Sequence, residues 1–195
     1  KNNSYKISIS KQAFSKQRLN MKPTIFIDLY KDYLNDFYAN SKDEVKTYKG
    51  YHVLAVDGSI FEIPNTKELR EIFKTQKNSS GHRESARARV SGIYDIENEF
   101  IIDATITDCE QGEKNLAKKN VTEAGKIIDL TKSIIIFDRG YPGIDLIWFL
   151  EKIGAKYIFR LQSTNMYEKE KRHMITNDEW LKLDVCGDRL RKIED

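Results

Sequence analysis

Two amphipathic helices are predicted at the start of the chain. Residues 10–18 begin at Ser10, a favoured helix N-cap, and residues 20–23 break the helical pattern. Residues 24–39 then place large side chains on one helical face: Phe26, Leu29, Tyr30, Tyr33 and Phe37. Two helices around a turn are typical of a DNA-reading helix-turn-helix or of a small packing subdomain. Residues 1–48 are therefore predicted to form a helical part, with both interpretations open.

From residue 51 onward, short apolar runs indicate a mixed α/β sheet. Strands are predicted at 51–56, 86–96, 100–107, 133–137 and 157–161. Helices are predicted at 67–73, 113–130 and 144–153. The first three strands form a meander, and a right-handed crossover makes the fourth strand parallel to the first. This pattern predicts one domain over residues 49–161, with helices on both faces of the sheet.

Composition excludes several classes of protein. The 195 residues include 39% hydrophobic residues and carry a net charge of +3, which is too apolar a composition for a disordered tail. The longest apolar runs, 134–137 and 144–150, fall well short of the roughly 20 residues that a membrane span needs. Two cysteines so far apart make neither a disulfide scaffold nor a zinc knuckle.

Basic residues concentrate at the start of the chain. Residues 1–50 hold ten Lys or Arg against five Asp or Glu, whereas residues 51–195 are slightly acidic overall. A basic arm is typical of proteins that meet phosphate groups. A merely solvated face has the same composition, so the charge alone leaves both interpretations open.

Two aspartates follow predicted strands of the same sheet. Asp57 comes after the first strand and Asp138 after the fourth, and parallel neighbours would bring them to about one strand spacing, ~4.8 Å. Two carboxylates this close repel unless a cation lies between them, and hard oxygen ligands suit Mg²⁺ or Mn²⁺. Two such ions, with a third acid, can promote phosphodiester chemistry. Each aspartate taken alone also fits an ordinary turn.

Three stretches carry a resemblance to the catalytic core of the IS4-like DDE transposases. They are VLAVDGSIFEIPNT at 53–66, ARVSGIYDIENEFIIDATIT at 88–107 and SIIIFDRGYPGIDLIWFLEKIGAKYIFRL at 133–161. The segment SKQAFSKQR at 10–18 also resembles the stretch before the core in this family. The resemblance implies an RNase H-like fold that cuts and rejoins DNA with two metal ions. It also implies that Asp57 and Asp138 are the first two acids of the DDE triad.

The family's third acid, a glutamate in a Tyr-x-x-Arg-x-x-x-Glu motif, has no match in residues 162–195. Tyr167 is followed three positions later by Glu170 rather than by arginine. We therefore expect residues 162–195 to be the start of an inserted region, truncated before the third acid, or the protein to be a decayed copy. The isolated chain is expected to be inactive, and robust Mg²⁺-dependent nicking would contradict this expectation.

Basic and aromatic residues around the two aspartates are candidates for contact with DNA. The predicted set consists of Lys74, Lys77, Arg87, Arg89, Arg139 and Tyr141. Lysine and arginine side chains bind the phosphate backbone, and a tyrosine can stack on an unpaired base. The alternatives are a flexible soluble loop for the basic cluster, an ion pair for Arg139 and plain packing for Tyr141.

The resemblance implies a complete reaction and a set of partners. The expected activity is hydrolysis at a transposon end followed by strand transfer, by a homodimer on DNA in the bacterial cytoplasm near the nucleoid. No membrane and no small-molecule substrate is expected. One rival is a decayed or domesticated DNA-binding relative, which a downstream third-acid motif would argue against. The other rival is an RNase H-like nuclease that does not join DNA, from which strand-transfer products would distinguish a transposase.

Overall fold

A computed structural model of the chain describes residues 9–77, 84–161, 167–176 and 178–180. The chain divides into two compact units, Lys1–Lys42 and Asp43–Asp195. None of the helices in the described parts is both long enough and apolar enough to cross a membrane.

The first unit contains the two helices that the apolar spacing predicts. Helix α1 spans Lys11–Arg18, and Ser10 caps it by accepting a hydrogen bond from the Ala13 N–H at 3.2 Å. Helix α2 spans Thr24–Asn40. Both helix predictions are confirmed, to within one or two residues at their ends. Among the described residues of α2, Leu34 is buried, whereas several large apolar side chains are exposed: Ile25, Phe26, Ile27, Leu29, Tyr30 and Tyr33.

The second unit contains a six-stranded sheet and its helices. The strands are β1 His52–Glu62, β2 Thr75–Lys77, β3 Glu84–Asp95, β4 Phe100–Asp108, β5 Ser133–Phe137 and β6 Lys156–Phe159. The helices are α3 Lys67–Phe73, α4 Glu113–Ala124, α5 Ile144–Lys152 and α6 Glu168–Lys171, with a 3₁₀ turn at Leu130–Lys132. Helix α4 ends six residues earlier than its apolar spacing predicts, and β2 was not predicted.

The sheet has the strand order β2-β3-β1-β5-β6, and β4 pairs with β3. The β1–β3 and β3–β4 pairs are antiparallel, which gives the predicted meander. The β1–β5 and β5–β6 pairs are parallel, as the right-handed crossover rule requires. A three-strand meander followed by two parallel strands is the mixed sheet of the RNase H-like fold, so the predicted fold class is confirmed.

Helices α4 and α5 cover one face of the sheet. Successive right-handed crossovers that move in the same direction along a sheet leave their helices on the same side. The two helices also contact each other, with Lys118 Nζ 3.3 Å from Asp145 Oδ2. The core beneath them contains Leu54, Val56, Ile93, Ile135 and Phe137 from alternate strand positions. Helices α4 and α5 therefore lie on the same face of the sheet, whereas the sequence predicted helices on both faces.

The second face of the sheet carries large exposed apolar side chains. Alternation along the paired strands puts Phe61, Tyr94, Ile101, Ile106 and Ile158 on this face, and all five are more than a third exposed. One face of the sheet is therefore buried under α4 and α5, and the other face carries exposed apolar side chains.

A buried polar network fixes α4 on the sheet. Asn120 is fully buried, and its side-chain carbonyl accepts a hydrogen bond from the Ser91 hydroxyl at 2.7 Å. Its amide group donates to Asp103 Oδ2 at 2.8 Å and to Thr105 Oγ1 at 3.3 Å. Asn120 thereby joins α4 to both strands beneath it, β3 and β4, and this fixes the position of the helix on the sheet.

Asn120→Ala is expected to lower the free energy of unfolding by about 2–3 kcal/mol, because it leaves buried polar partners without hydrogen bonds. Urea unfolding followed by circular dichroism measures the change. Asn115→Ala, at an exposed position of the same helix, is the matched control and is expected to cost less than about 0.5 kcal/mol. Equal losses in the two variants would contradict the structural role of Asn120.

Candidate active site

Asp57 and Asp138 lie side by side at the carboxyl end of the parallel strands. The β1–β5 register ends with the pair Val56–Phe137, and both aspartates are the next residue on their strand. Neighbouring strands lie about 4.8 Å apart, so two aspartates that are 81 positions apart in the sequence lie side by side at one edge of the sheet. Both side chains are exposed.

The position of Asp57 differs from the prediction in one respect. Asp57 was predicted to follow the first strand, but β1 continues through it to Glu62. The reason is the antiparallel partner, because β3 pairs with β1 as far as Glu62, well past the end of β5. Asp57 is therefore inside a paired strand, where two neighbours hold its backbone.

Among the residues that the structure describes, each aspartate side chain has one polar contact. Asp57 Oδ1 accepts a hydrogen bond from the Gly58 N–H at 2.8 Å. Asp138 Oδ1 lies 3.7 Å from Nη1 of Arg160, the residue after β6. Both partners of this ion pair are more than half exposed, so it is a weak surface pair. Arg160 was not among the predicted site residues, although its place after a short apolar strand beside β5 is a signal that would have found it.

Tyr141 is buried against Phe137 and next to Gly58. It is 3% exposed, and its ring packs against Phe137 with centroids 5.6 Å apart. Burial raises the pKa of its hydroxyl well above the ordinary value, and the charges of Glu113, Asp57 and Asp138 raise it further. The hydroxyl therefore stays protonated as a hydrogen-bond donor. A ring this buried presents no face to a DNA base, so its position corresponds to the packing interpretation.

Glycine at position 58 permits the close approach of Tyr141. A Cβ atom placed on Gly58 would lie 3.3 Å from the Tyr141 hydroxyl oxygen and 3.4 Å from the Val90 carbonyl oxygen. The distance to the hydroxyl is tighter than most Cβ contacts, and the distance to the carbonyl, which belongs to the backbone of β3, is at the short limit of ordinary van der Waals contact. The Asp-Gly sequence at 57–58 thus serves a packing need, rather than the hairpin turn that was its ordinary interpretation.

An ion pair between Arg89 and Glu113 lies close to the aspartates, and sequence analysis did not identify Glu113. Arg89 Nη1 donates to Glu113 Oε1, and its Nη2 lies 3.4 Å from the Cys109 carbonyl oxygen. The Arg89 side chain is 13% exposed. The packing of α4 against β3 brings Arg89 and Glu113 together, so no pattern in the local sequence predicts this ion pair.

The predicted DNA-contacting residues fall into two groups. Lys74, Lys77 and Arg139 are exposed, and β2 lies beyond the carboxyl end of the β1–β5 pairing, on the side of the aspartates. Arg87 and Arg89 point toward the α4 face instead, where Arg87 Nη2 lies 3.7 Å from Glu62 Oε2. The exposed residues Lys74, Lys77 and Arg139 are therefore the ones that can contact a phosphate backbone.

In the described parts of the chain, no group of three or more His, Cys, Asp or Glu side chains is arranged to hold a metal ion. Asp57 and Asp138 are nevertheless donors of the right chemistry, because exposed carboxylate oxygens are hard ligands. Among the described residues, the buried Tyr141 hydroxyl has no hydrogen-bond partner, so it remains available as a donor. The residues present thus fit a divalent cation.

A family model described as a transposase DDE domain matches residues 48–193 of this chain. None of the curated proteins is similar enough in sequence to match it.

Two solved structures show a distant likeness. A pre-cleavage Mos1 transpososome is 9% identical, with a TM-score of 0.39, over 65% of this chain and 40% of that chain. A Mos1 mariner paired end complex with Mn is 10% identical, with a TM-score of 0.36, over 76% of this chain and 50% of that chain. The chain thus spans half or less of the length of both proteins.

Proposed function

Because this chain belongs to the transposase DDE domain family, we propose that Asp57 and Asp138 are two of the acids with which its protein cuts and rejoins DNA. The supporting observation is the parallel pairing of β1 and β5, which ends one residue before both aspartates. An aspartate that only forms a turn does not require a second aspartate beside it on the neighbouring parallel strand. The IS4-like group remains the one whose motifs the sequence resembles.

The two carboxylates are placed to share a partner of opposite charge. Both are exposed and follow one pair of parallel strands, and carboxylate oxygens are the ligands that Mg²⁺ and Mn²⁺ prefer. Asp57 and Asp138 would hold Mg²⁺ or Mn²⁺, and such ions stabilise negative charge on the attacking and leaving oxygens of a phosphodiester. Two ions are proposed for the complete site.

The residues of this chain have separate tasks in the proposed reaction. Asp57 is fixed by the pairing of β1 on both sides, so its carboxylate stays at one position while the DNA moves. Asp138 begins the turn after β5, and the Tyr141 N–H donates to its backbone carbonyl at 3.1 Å. Arg160, 74% exposed beside Asp138, is placed to contact a DNA phosphate.

The proposed reaction is two successive in-line displacements at phosphorus. Water first attacks the phosphodiester at a transposon end, which frees a 3′-hydroxyl, and that hydroxyl then attacks the target strand. The proposed partners are transposon-end and target DNA, bound by a homodimer in the bacterial cytoplasm. No small-molecule substrate is proposed.

A DNA assay tests the proposed function. The full protein that contains this chain, rather than the isolated chain, is incubated in Mg²⁺ with a labelled duplex carrying the ends of its element and with a supercoiled target plasmid. Joined products that contain both the label and plasmid sequence are expected. Cleaved ends without joined products would favour a nuclease, and binding without either product would favour a DNA-binding relative.

Lys74→Ala with Lys77→Ala is expected to weaken binding to a random DNA duplex and to flatten its salt dependence. Each lost phosphate contact lowers the slope of log K against log salt by about 0.9, so the pair lowers it by roughly 1.8. Fluorescence anisotropy across a salt series measures the slope.

The matched control is Lys132→Ala with Lys152→Ala, which removes the same charge at the opposite end of the sheet. Lys132 directly precedes β5, α5 runs back from the aspartates to end at Lys152, and both are exposed. This control is expected to keep the slope of the unmutated protein. Equal slopes in the two double variants would contradict a phosphate track at β2.

A further inference from the structure

The two aspartates of the proposed site are held in different ways. Asp57 lies inside β1, where its backbone is paired with Gly92 of β3. Asp138 lies one residue past the end of β5, and its side chain has, among the described residues, only the weak surface pair with Arg160. The position of the Asp138 carboxylate therefore depends on the backbone of residues 138–143, here called the Asp138 loop.

Lys114 joins the Asp138 loop to helix α4. Its ammonium group donates a hydrogen bond to the Pro142 carbonyl oxygen at 2.9 Å. Within the loop, the Tyr141 N–H donates to the Asp138 carbonyl oxygen at 3.1 Å. These two hydrogen bonds connect α4, through one turn of backbone, to the residue that carries the carboxylate.

Helix α4 is a firm support for the Lys114 side chain. The helix is held on the sheet by the Asn120 network and by four buried apolar residues: Leu116, Ala117, Val121 and Ala124. Lys114 itself is half-buried, in the first turn of the helix. Since a hydrogen bond from a charged donor is stronger than one between neutral groups, the Asp138 loop takes its position from the helix and from the sheet beneath it.

The stability of α4 does not explain a lysine at this place. The amino end of a helix carries a partial positive charge, so acidic residues are favoured in the first turn and basic residues in the last. Lys114 is the second residue of α4, where its charge opposes the helix dipole. The contact with Pro142 is the interaction that the structure gives in return.

Glycine at position 143 leaves room for the Lys114 ammonium group. A Cβ atom placed on Gly143 would lie 2.7 Å from Lys114 Nζ and 2.7 Å from Asp145 Oδ1, closer than real Cβ atoms approach their neighbours. The φ angle of Gly143 is −171°, which any residue adopts. Both neighbouring atoms end flexible side chains, so an alanine here would displace the ammonium group and leave the backbone in place.

We propose that Lys114 is a positioning residue that holds the Asp138 loop so that the Asp138 carboxylate stays beside Asp57, a role that rests on the proposed function. In this role Lys114 touches neither DNA nor a reacting atom, and it acts through the Pro142 carbonyl. The effect on rate follows from geometry, because a displacement of about 1 Å at a reacting group can cost roughly 100-fold.

Single-turnover cleavage of labelled transposon-end DNA by the full protein that contains this chain tests the role. Lys114→Met keeps the length of the side chain and removes its donor, and it is expected to lower the cleavage rate at saturating DNA at least about tenfold. The dissociation constant for the same DNA is expected to stay within about threefold, because the lost bond is made to the protein's own backbone. A variant that cleaves at the unmutated rate, or that loses only DNA affinity, would overturn the proposal.

Lys114→Arg tests whether a charged donor is the property that matters. Lys114 lines an open cavity together with Gly140 and Asp145, so a guanidinium group has room beside the loop. This variant is expected to keep the cleavage rate within about threefold of the unmutated rate. A loss as large as that of Lys114→Met would contradict a role through the hydrogen bond to Pro142.

Lys118→Met is the matched control. Lys118 lies one turn farther along α4 and is also half-buried, but it pairs with Asp145 of α5 at 3.3 Å rather than with the Asp138 loop. Its loss removes the same charge from the same helix and is expected to change the cleavage rate by less than about threefold. Equal losses in Lys118→Met and Lys114→Met would show that the charge or packing of α4 sets the rate, and would overturn the proposal.

Gly143→Ala breaks the same hydrogen bond from the loop side. The new Cβ atom displaces the Lys114 ammonium group, so the cleavage rate is expected to fall at least about fivefold. Combined with Lys114→Met, the glycine substitution is expected to add less than about twofold, since both changes remove one interaction. Losses that multiply in the double variant would contradict the proposed contact.

Hydrogen exchange measures the Asp138 loop without any reaction. In the full protein without DNA, the Tyr141 amide is expected to exchange at least about fivefold faster in Lys114→Met, while the amides of α4 keep their rates. Mass spectrometry of short peptides over residues 138–147 measures this change. An unchanged Tyr141 amide, or equal acceleration throughout α4, would overturn the proposal, since the first means that Lys114 does not hold the loop and the second that the variant loosens the whole helix.

The outcomes separate the role of Lys114 from the proposed function. If Asp57→Asn and Asp138→Asn lose cleavage while Lys114→Met keeps it, the role of Lys114 is overturned and the proposed function stands. If the two aspartate variants cleave like the unmutated protein, the proposed function fails and the role of Lys114 in the reaction fails with it.

Discussion

Asp138→Asn in the full protein that contains this chain is expected to lower the rate of Mg²⁺-dependent cleavage of transposon-end DNA at least about 1,000-fold, roughly 4 kcal/mol of activation free energy. The substitution keeps the size of the side chain and removes its charge, so the cation loses a ligand and the reacting phosphate loses the positive charge beside it. Asp57→Asn is expected to have an effect of the same order. Single-turnover cleavage of a labelled DNA end measures both.

Asp129→Asn is the matched control for these variants. Asp129 lies at the amino end of β5, opposite Asp138, and it caps the 3₁₀ turn by accepting a hydrogen bond from the Thr131 N–H at 3.0 Å. Cleavage by this variant is expected within about twofold of the unmutated rate, because an asparagine also caps well. Full cleavage by Asp138→Asn, or equal losses in all three variants, would contradict the assignment.

Phe137→Ala is expected to lower the free energy of unfolding by about 3–5 kcal/mol. Phe137 is 1% exposed on the central strand β5, and its ring stacks on Phe159 with centroids 5.0 Å apart. It also packs against Tyr141, so its loss leaves a cavity between Tyr141 and Phe159. Urea unfolding measures the change.

Phe61→Ala provides the control for the loss of a phenylalanine ring. Phe61 is 53% exposed on β1, on the face of the sheet that α4 and α5 leave uncovered. Its removal is expected to cost less than about 1 kcal/mol, since little apolar area leaves the protein interior. Similar losses at positions 61 and 137 would contradict the placement of the core on one face of the sheet.

The sequence was sufficient to predict the strands other than β2 and the approach of the two aspartates. The apolar run at 133–137 has the bounds of β5, whose alternate residues are buried under the helices and half-buried on the other face. The right-handed crossover rule then made β5 parallel to β1, as the structure confirms. Chain order and the handedness of the crossover together therefore place Asp57 and Asp138 at one edge, without knowledge of any side-chain contact.

The remainder of the site depends on contacts between distant parts of the chain. The extension of β1 past Asp57 follows from its pairing with β3, which its own pattern does not encode. The Arg89–Glu113 pair and the burial of Tyr141 arise where α4 and the loop after β5 meet the sheet. Arg89 and Glu113 are charged, so hydrophobic spacing gives no indication of where they pack.

The most direct test of the cation site is a crystal structure of the chain soaked in Mn²⁺, with an anomalous difference map collected at the manganese absorption edge. The account predicts a peak at about 2.0–2.3 Å from a carboxylate oxygen of both Asp57 and Asp138. A map without a peak at that edge of the sheet under saturating Mn²⁺, or a peak that contacts neither aspartate, would contradict it.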